Sequence, residues 1–87
     1  MISLSDRTKC FTTIMAMAIG DAVWIEHKGA EIEIGCADVA RPGQRPIKHW
    51  YVCNMTVFDQ PHRDIYSRNV SDLLDEISNR KMRSNHD

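Results

Sequence analysis

The side chains in this chain that are best suited to chemistry are its three cysteines and four histidines. His49 and Cys53 stand four residues apart in a stretch rich in aromatic and β-branched residues, and both residue types bind metal ions. Four residues of extended strand span about 13 Å, however, so one metal ion cannot be held by both. We therefore expect buried free thiols, because cysteine is among the residue types most often found in protein cores.

Asp59, His62 and Asp64 form a second group with the residue types for acid–base chemistry. An imidazole oriented by a carboxylate can act as a general base. The same residues beside Pro61 are also what a turn after a strand requires, and no nucleophile can be assigned to them. We expect a turn here, and we predict that the protein is not an enzyme and uses neither a cofactor nor a metal.

Between residues 41 and 48 three basic side chains occur without an acid, and Trp50 and Tyr51 follow directly. Cations beside aromatic rings can hold phosphate groups and stack bases. A solvated loop, followed by a strand that gives its aromatic residues to the core, is the simpler interpretation, because the chain has no basic excess and no recognised nucleic-acid-binding motif. A small nucleic-acid-binding regulator is therefore the alternative hypothesis for function. Its residues are Arg41, Arg45 and Lys48, with Arg63 and Arg68 as further candidates.

The stretch 21–38 is acidic, with five carboxylates against one base. In a hairpin Glu31 and Glu33 would project from one sheet face beside Glu26, and a row of carboxylates can meet a basic surface on a partner protein. Carboxylates on the exposed side of a hairpin also keep a protein soluble and block pairing at sheet edges. As a set, we predict that these acids bind a partner. They are Asp21, Glu26, Glu31, Glu33 and Asp38.

The totals place the chain among soluble globular proteins. Its 87 residues can close one core, so we expect a single domain over residues 1–87. The hydrophobic content of 43% and the charged content of 26% are close to the average for folded chains. The net charge of −1 gives no overall attraction to nucleic acid or membrane, so a charged partner must be recognised by a local patch. An odd number of cysteines without a CxxC pair predicts a cytoplasmic location.

Side-chain types and alternation predict three strands. The segment 47–58 is the longest run of β-favouring side chains, and since neither of its faces is purely polar we expect a central strand with neighbours on both edges. Residues 22–26 and 30–36 should form a hairpin around Lys28-Gly29, which supplies the positive φ that a tight turn needs. The loop 41–46 should be exposed, because its two prolines remove hydrogen-bond donors.

The segment 10–19 fits either a helix or a strand, and we favour the strand because the opposite face of the helix would carry no charge. A short extended piece is expected at 65–66. The last predicted element is a helix that begins at Val70 with Asn69 as its N-cap. Its apolar stripe consists of Val70, Leu73, Leu74 and Ile77.

Together these elements predict an α+β protein with a small antiparallel sheet of about four strands, arranged as a meander and covered on one face by the C-terminal helix. Residues 1–9 should form a polar N-terminal segment, and residues 84–87 should form a frayed tail.

A compact chain with segregated charge and no assignable catalytic set favours a small protein-binding module that acts as an inhibitor or adaptor. In size and composition the chain resembles the short, motif-free inhibitors that phages and mobile elements encode against host defence, anti-CRISPR proteins among them. This resemblance implies that the acidic hairpin competes with nucleic acid for a basic groove. The predicted partner is a protein with a basic surface, foremost a nucleic-acid-binding complex. We expect no membrane association, and either a monomer or a homodimer.

Overall fold

The computed structural model describes residues 1–83 and contains a five-stranded sheet and two helices. The elements are β1 (Ile2–Ser3), α1 (Arg7–Met15), β2 (Ala22–His27), β3 (Ala30–Val39), β4 (Ile47–Val52), β5 (Tyr66–Ser67) and α2 (Val70–Asn79), with a 3-10 turn at Met55–Val57. The strands lie in chain order across the sheet. β1 is parallel to β2, and every other neighbouring pair is antiparallel.

The predicted α+β class, the antiparallel meander from β2 to β5 and the C-terminal helix are confirmed. The sheet has five strands instead of about four, because residues 1–9 are more than a polar segment and hold both β1 and the start of α1. The expected fraying of residues 84–87 lies outside the described residues.

β2 and β3 form the predicted hairpin. Ile25 stands opposite Ile32, so the two isoleucines point to the same face of the sheet. At the turn Lys28 has a φ of 51° and Gly29 a φ of 80°. A two-residue hairpin turn of this kind requires positive φ at both of its central positions, which glycine adopts without steric penalty.

The prediction of a strand over residues 10–19 is wrong, because this part of the chain begins with helix α1. The helix starts at Arg7, three residues before the segment 10–19. The side chain of Asp6 caps it by accepting a backbone N–H of the first turn at 3.3 Å. Cys10 and Ile14 lie one helical turn apart and are fully buried. The exposed polar side chains in the first turn of α1 form the solvent-facing polar surface of the helix that the segment 10–19 does not contain.

Arg7 joins the first helix to the last one. Its Nη1 donates a hydrogen bond to Asp75 Oδ1 at 2.7 Å, and its Nη2 donates to the carbonyl oxygen of Ser71 at 3.0 Å. Both acceptors lie in α2, so the two helices pack side by side on the sheet.

The prediction of one strand over 47–58 is wrong in its second half, because β4 ends at Val52. The side chain of Asn54 takes the place of the missing strand residues. Its Oδ1 accepts the backbone N–H of Glu33 at 2.9 Å, and its Nδ2 donates to the carbonyl oxygen of Glu31 at 2.8 Å. The Asn54 amide thus makes the two hydrogen bonds to β3 that a backbone peptide group would make. The backbone after β4 can therefore leave the sheet and form the 3-10 turn.

Helix α2 is confirmed with its predicted start and N-cap. Asn69 Oδ1 accepts a hydrogen bond from the backbone N–H of Asp72 at 3.1 Å. The predicted stripe is buried in full, and it consists of Val70, Leu73, Leu74 and Ile77.

One hydrophobic core lies between the helices and a single face of the sheet. The alternation in β3 buries Ile32, Ile34 and Cys36, as predicted, and both helices contribute buried side chains to the same cluster. Within residues 1–83, neither helix packs on the other face of the sheet, which we call the open face.

Candidate functional site on the open face of the sheet

The open face carries most of the large apolar side chains that the described residues leave in water. Directly paired residues of antiparallel strands point to the same face, so the register identifies the members of this face. One row runs across the sheet from Ala22 through Gly35 and Tyr51 to Tyr66. The exposed apolar residues of the face are Trp24, Val39, Ile47, Tyr51 and Tyr66. The sequence predicts only part of this surface. Its simpler interpretation places Tyr51 in the core, its alternative uses Tyr51 beside the basic residues, and Tyr66 is assigned to no site.

Gly35 fixes how Tyr51 lies on the open face. A Cβ atom at position 35 would stand 2.6 Å from Tyr51 Cζ and 2.7 Å from its hydroxyl oxygen. Contacts between carbon atoms are favourable at about 3.5–4.0 Å, so only glycine leaves room for the ring in this position. The Tyr51 ring therefore rests against the backbone of β3 with Tyr66 on its other side.

Three predicted carboxylates lie together at the hairpin end of the open face. Glu26 stands opposite Glu31, and Glu33 stands opposite Trp24, whose side chain is 44% exposed. We call Trp24, Glu26, Glu31 and Glu33 the acidic end. Like charges that face each other across two strands are destabilising, so this arrangement costs the fold some stability.

The glutamates of the acidic end have no ion pair within residues 1–83. The ion pairs of that part of the chain involve other acids, in Arg7–Asp75, Arg80–Glu76 and Lys81–Asp59. Glu26 Oε1 accepts the backbone N–H of Gly29 at 3.0 Å, which holds one carboxylate at the turn. The acidic end therefore presents its charge to solvent.

The other two predicted acids, Asp21 and Asp38, do not belong to this surface. Both lie near Cys36 on the helix-covered side, where their charges oppose the effect of Lys48 on its thiol. Asp21 Oδ2 accepts the backbone N–H of Ala18 at 2.9 Å and so serves a turn. The structure thus brings three of the five predicted acids together on the open face and places the other two elsewhere.

The opposite end of the open face is basic. A concavity of about 650 Å³ is lined by the guanidinium-bearing residues Arg41, Arg45 and Arg68, together with His49 and apolar neighbours. We call these three arginines the basic end. Lys48 is not part of it, because its Nζ donates to the carbonyl oxygen of Met17 at 2.7 Å on the helix side. Of the predicted patch, the structure brings Arg41 and Arg45 together and adds Arg68, whereas Lys48 lies on the other side of the sheet.

A second concavity, of about 720 Å³, adjoins the first one and shares Arg41 and His49 with it. Tyr51, Tyr66 and Asp64 are among its lining residues. Basic and aromatic side chains therefore line one continuous depression across β3, β4 and β5.

Cys10 and Cys36 are buried, as expected, whereas the expectation of a buried thiol is wrong for Cys53, which is exposed because β4 ends one residue before it. Desolvation raises the pKa of all three thiols above the ordinary value for cysteine, although it is only partial at Cys53. At Cys53 the Glu33 carboxylate raises the pKa further, and a hydrogen bond with Tyr51 opposes the shift. A raised pKa keeps a thiol protonated, which is unfavourable for a nucleophile. Burial also lowers the pKa of His27, with help from Lys28 and against Glu26, and its Nε2 has no hydrogen-bond partner in the described chain.

The three residues of the predicted turn, Asp59, His62 and Asp64, have different surroundings. Asp59 pairs with Lys81 at 3.9 Å, whereas Asp64 lines the aromatic concavity and His62 is exposed. Among residues 1–83, no three histidine, cysteine, aspartate or glutamate side chains stand close enough together to hold a metal ion.

Comparisons of the chain with protein-family models, curated proteins and solved structures found no match. Neither helix in residues 1–83 has the length and the apolar character needed to cross a bilayer. The fold and the site define a small α+β protein with one helix-covered sheet face and one open face of opposite charges at its two ends.

Proposed function

We propose that the protein is a non-enzymatic binding module that docks its acidic end onto a basic surface of a partner protein and thereby inhibits or adapts that partner. The observation that carries this proposal is the position of Trp24 among three glutamates on a sheet face that neither helix of residues 1–83 covers. Tryptophan is enriched among the interface residues that contribute most of the binding energy. The charges around it speed association with an oppositely charged partner and disfavour other proteins.

The repulsion between Glu26 and Glu31 supports a basic partner in particular. A cation placed between two facing carboxylates removes their mutual repulsion, so binding recovers stability that the free protein lacks. Proteins that bind nucleic acid present basic surfaces of this kind, and a row of carboxylates competes with phosphates for them. An inhibitor of a nucleic-acid-binding complex, in the manner of an anti-CRISPR protein, is the specific form of this proposal. Its location would be the cytoplasm, where three free thiols stay reduced.

The proposal is tested by affinity capture with charge-matched variants. The variant E26Q/E31Q/E33Q removes the charge of the acidic end, and D38N/D59N/D72N removes the same charge from other surfaces. The wild-type protein and the control should retain the same basic proteins from a nuclease-treated lysate, and the acidic-end variant should lose them. Nuclease treatment excludes capture through bridging nucleic acid.

The contribution of Trp24 is measured on one captured and purified partner. W24A should weaken binding by about 30-fold or more, as expected for an interface anchor. Equal retention of partners by the acidic-end variant and the wild type would overturn the proposal. So would sedimentation data in which the open face of one copy binds a second copy at the concentrations used.

A further inference from the structure

We propose that the basic end and the aromatic concavity beside it form a binding site for a short stretch of single-stranded nucleic acid. This site uses no residue of the acidic end, so the inference is independent of the proposed protein partner. It also differs from the Arg41, Arg45 and Lys48 patch that the sequence indicates, because Lys48 is absent from it and Tyr66 belongs to it. Of the further residues that the sequence suggests, Arg68 and Tyr51 line the site.

The phosphate side of the site is the concavity of about 650 Å³ at the basic end. Arg41 and Arg45 enter it from the loop after β3, and Arg68 enters it from the chain after β5. None of the three guanidinium groups makes an ion pair or a side-chain hydrogen bond within residues 1–83, where the bonded arginines are Arg7, Arg63 and Arg80. A guanidinium group presents paired N–H donors whose spacing matches two phosphate oxygens. Three guanidinium groups therefore provide enough positive charge for more than one phosphate.

The base side of the site is the adjoining concavity of about 720 Å³. Tyr51 and Tyr66 stand directly opposite each other on β4 and β5, and Tyr66 is 69% exposed. Exposed aromatic rings on a sheet surface are stacking platforms for unpaired bases. Tyr51 is held in place by its contact with Gly35, so this part of the platform is ordered before a ligand arrives.

The phosphate side and the base side of the site adjoin each other, and this arrangement favours a single-stranded ligand. Arg41 and His49 line both concavities, so a bound chain can place phosphates at the basic end and bases over the tyrosines. A duplex keeps its bases paired and stacked inside the helix, and they cannot lie on protein rings. The acidic end lies further along the same face and repels phosphates, which limits the site to a few nucleotides.

Asp64 gives the site a base preference. Asp64 lines the aromatic concavity, and its carboxylate accepts hydrogen bonds but does not donate them. A carboxylate that faces position 4 of a stacked pyrimidine therefore attracts an amino group there and repels a carbonyl oxygen. Cytosine presents an amino group where uracil presents a carbonyl oxygen. Oligo(C) should therefore bind more tightly than oligo(U), although both are pyrimidines.

The first test is fluorescence anisotropy of a labelled single-stranded oligonucleotide as a function of salt. Each phosphate neutralised on a single strand contributes about −0.7 to the slope of log K against log salt, so three arginines predict a slope of about −2. Affinity should fall about 20-fold between roughly 50 and 200 mM salt. R41A/R45A/R68A should abolish binding, and each single arginine variant should flatten the slope by about 0.7. The matched control K9A/K81A/R83A removes three basic residues elsewhere and should leave the slope unchanged.

The second test separates stacking and base preference from charge. Y66A should weaken binding by about fivefold or more without changing the salt slope, and Y66F should restore it. Oligo(C) should bind about fivefold more tightly than oligo(U), and D64N should remove that difference. Circular dichroism of every variant confirms that the fold is kept.

Several results would overturn the inference. They are absence of binding at low salt, equal binding of a duplex or of a free mononucleotide, and equal loss in the control variant. A protein partner bound through the acidic end leaves all these outcomes unchanged, whereas E26Q/E31Q/E33Q should abolish partner capture and slightly strengthen oligonucleotide binding. The failure of one proposal is thus distinguishable from the failure of the other.

Discussion

Replacing Gly35 by alanine tests whether the open face is organised around the contact between Gly35 and Tyr51. The new Cβ would lie 2.6 Å from Tyr51 Cζ, so the end of the ring must withdraw by about 1 Å to reach an ordinary contact distance. The backbone itself favours alanine, because glycine inside a strand is destabilising by roughly 0.5–1 kcal/mol. The displaced ring moves away from its preferred rotamer, at a cost of about 0.5–1.5 kcal/mol.

These two terms are similar in size and opposite in sign. G35A should therefore change the free energy of unfolding by less than about 1 kcal/mol. In a Y51A background the clash is absent, so the same substitution should stabilise the protein by roughly 0.5–1 kcal/mol. A double-mutant cycle measured by urea unfolding should give a coupling of about 1 kcal/mol between the two positions.

The same cycle has a functional readout. Because G35A moves the ring of Tyr51, it should weaken oligonucleotide binding about as much as Y51A does, while the fold stays intact. A cycle without coupling would refute this view of Tyr51 and Gly35. A loss of more than about 2 kcal/mol in both backgrounds would also refute it, because the glycine would then be needed for a reason other than the ring.

Three further predictions concern the electrostatics of the open face and its rim. E31K replaces a repulsive pair with Glu26 by an attractive one, so it should raise the free energy of unfolding by about 1 kcal/mol in low salt; a loss of stability would contradict the register. E33Q removes a charge that raises the pKa of Cys53, so the pH midpoint of alkylation by iodoacetamide should fall; an unchanged midpoint would show that Glu33 is not close to the thiol. The pKa of His27 is lowered in the folded state, so the unfolded state binds more protons between that value and about pH 6.5. Stability should thus decrease as the pH falls through this range, and H27Q should make urea unfolding less sensitive to pH.

Local patterns were enough to predict the hairpin and the last helix. In β3 the alternation of Glu31 and Glu33 with buried isoleucines fixed both the strand and its open side. In α2 the N-cap Asn69 and the apolar stripe lie within ten residues of one another. Where the residues that determine an element are close in sequence, their periodicity predicts both the element and its buried face.

The errors arose where distant residues decide the outcome. α1 is capped by Asp6, which precedes the segment 10–19, and is joined to α2 by the ion pair between Arg7 and Asp75. The end of β4 depends on the hydrogen bonds of Asn54 to β3, which no period in 47–58 reveals. The sequence offered Arg68 as a candidate but could not place it beside Arg41 and Arg45, because it comes there only through the pairing of β5 with β4.

The ion pair between Arg7 in the first helix and Asp75 in the last helix also affects when the chain can fold during its synthesis. Arg7 finds its carboxylate partner 68 positions later, and α2 supplies four large side chains to the core. A nascent chain emerging from the ribosome therefore exposes the covered side of its strands until the last helix has been made, since contacts between distant residues close late. Folding is then a single late event, and a ribosome stalled before residue 70 should display a chain that proteases and chaperones can still reach.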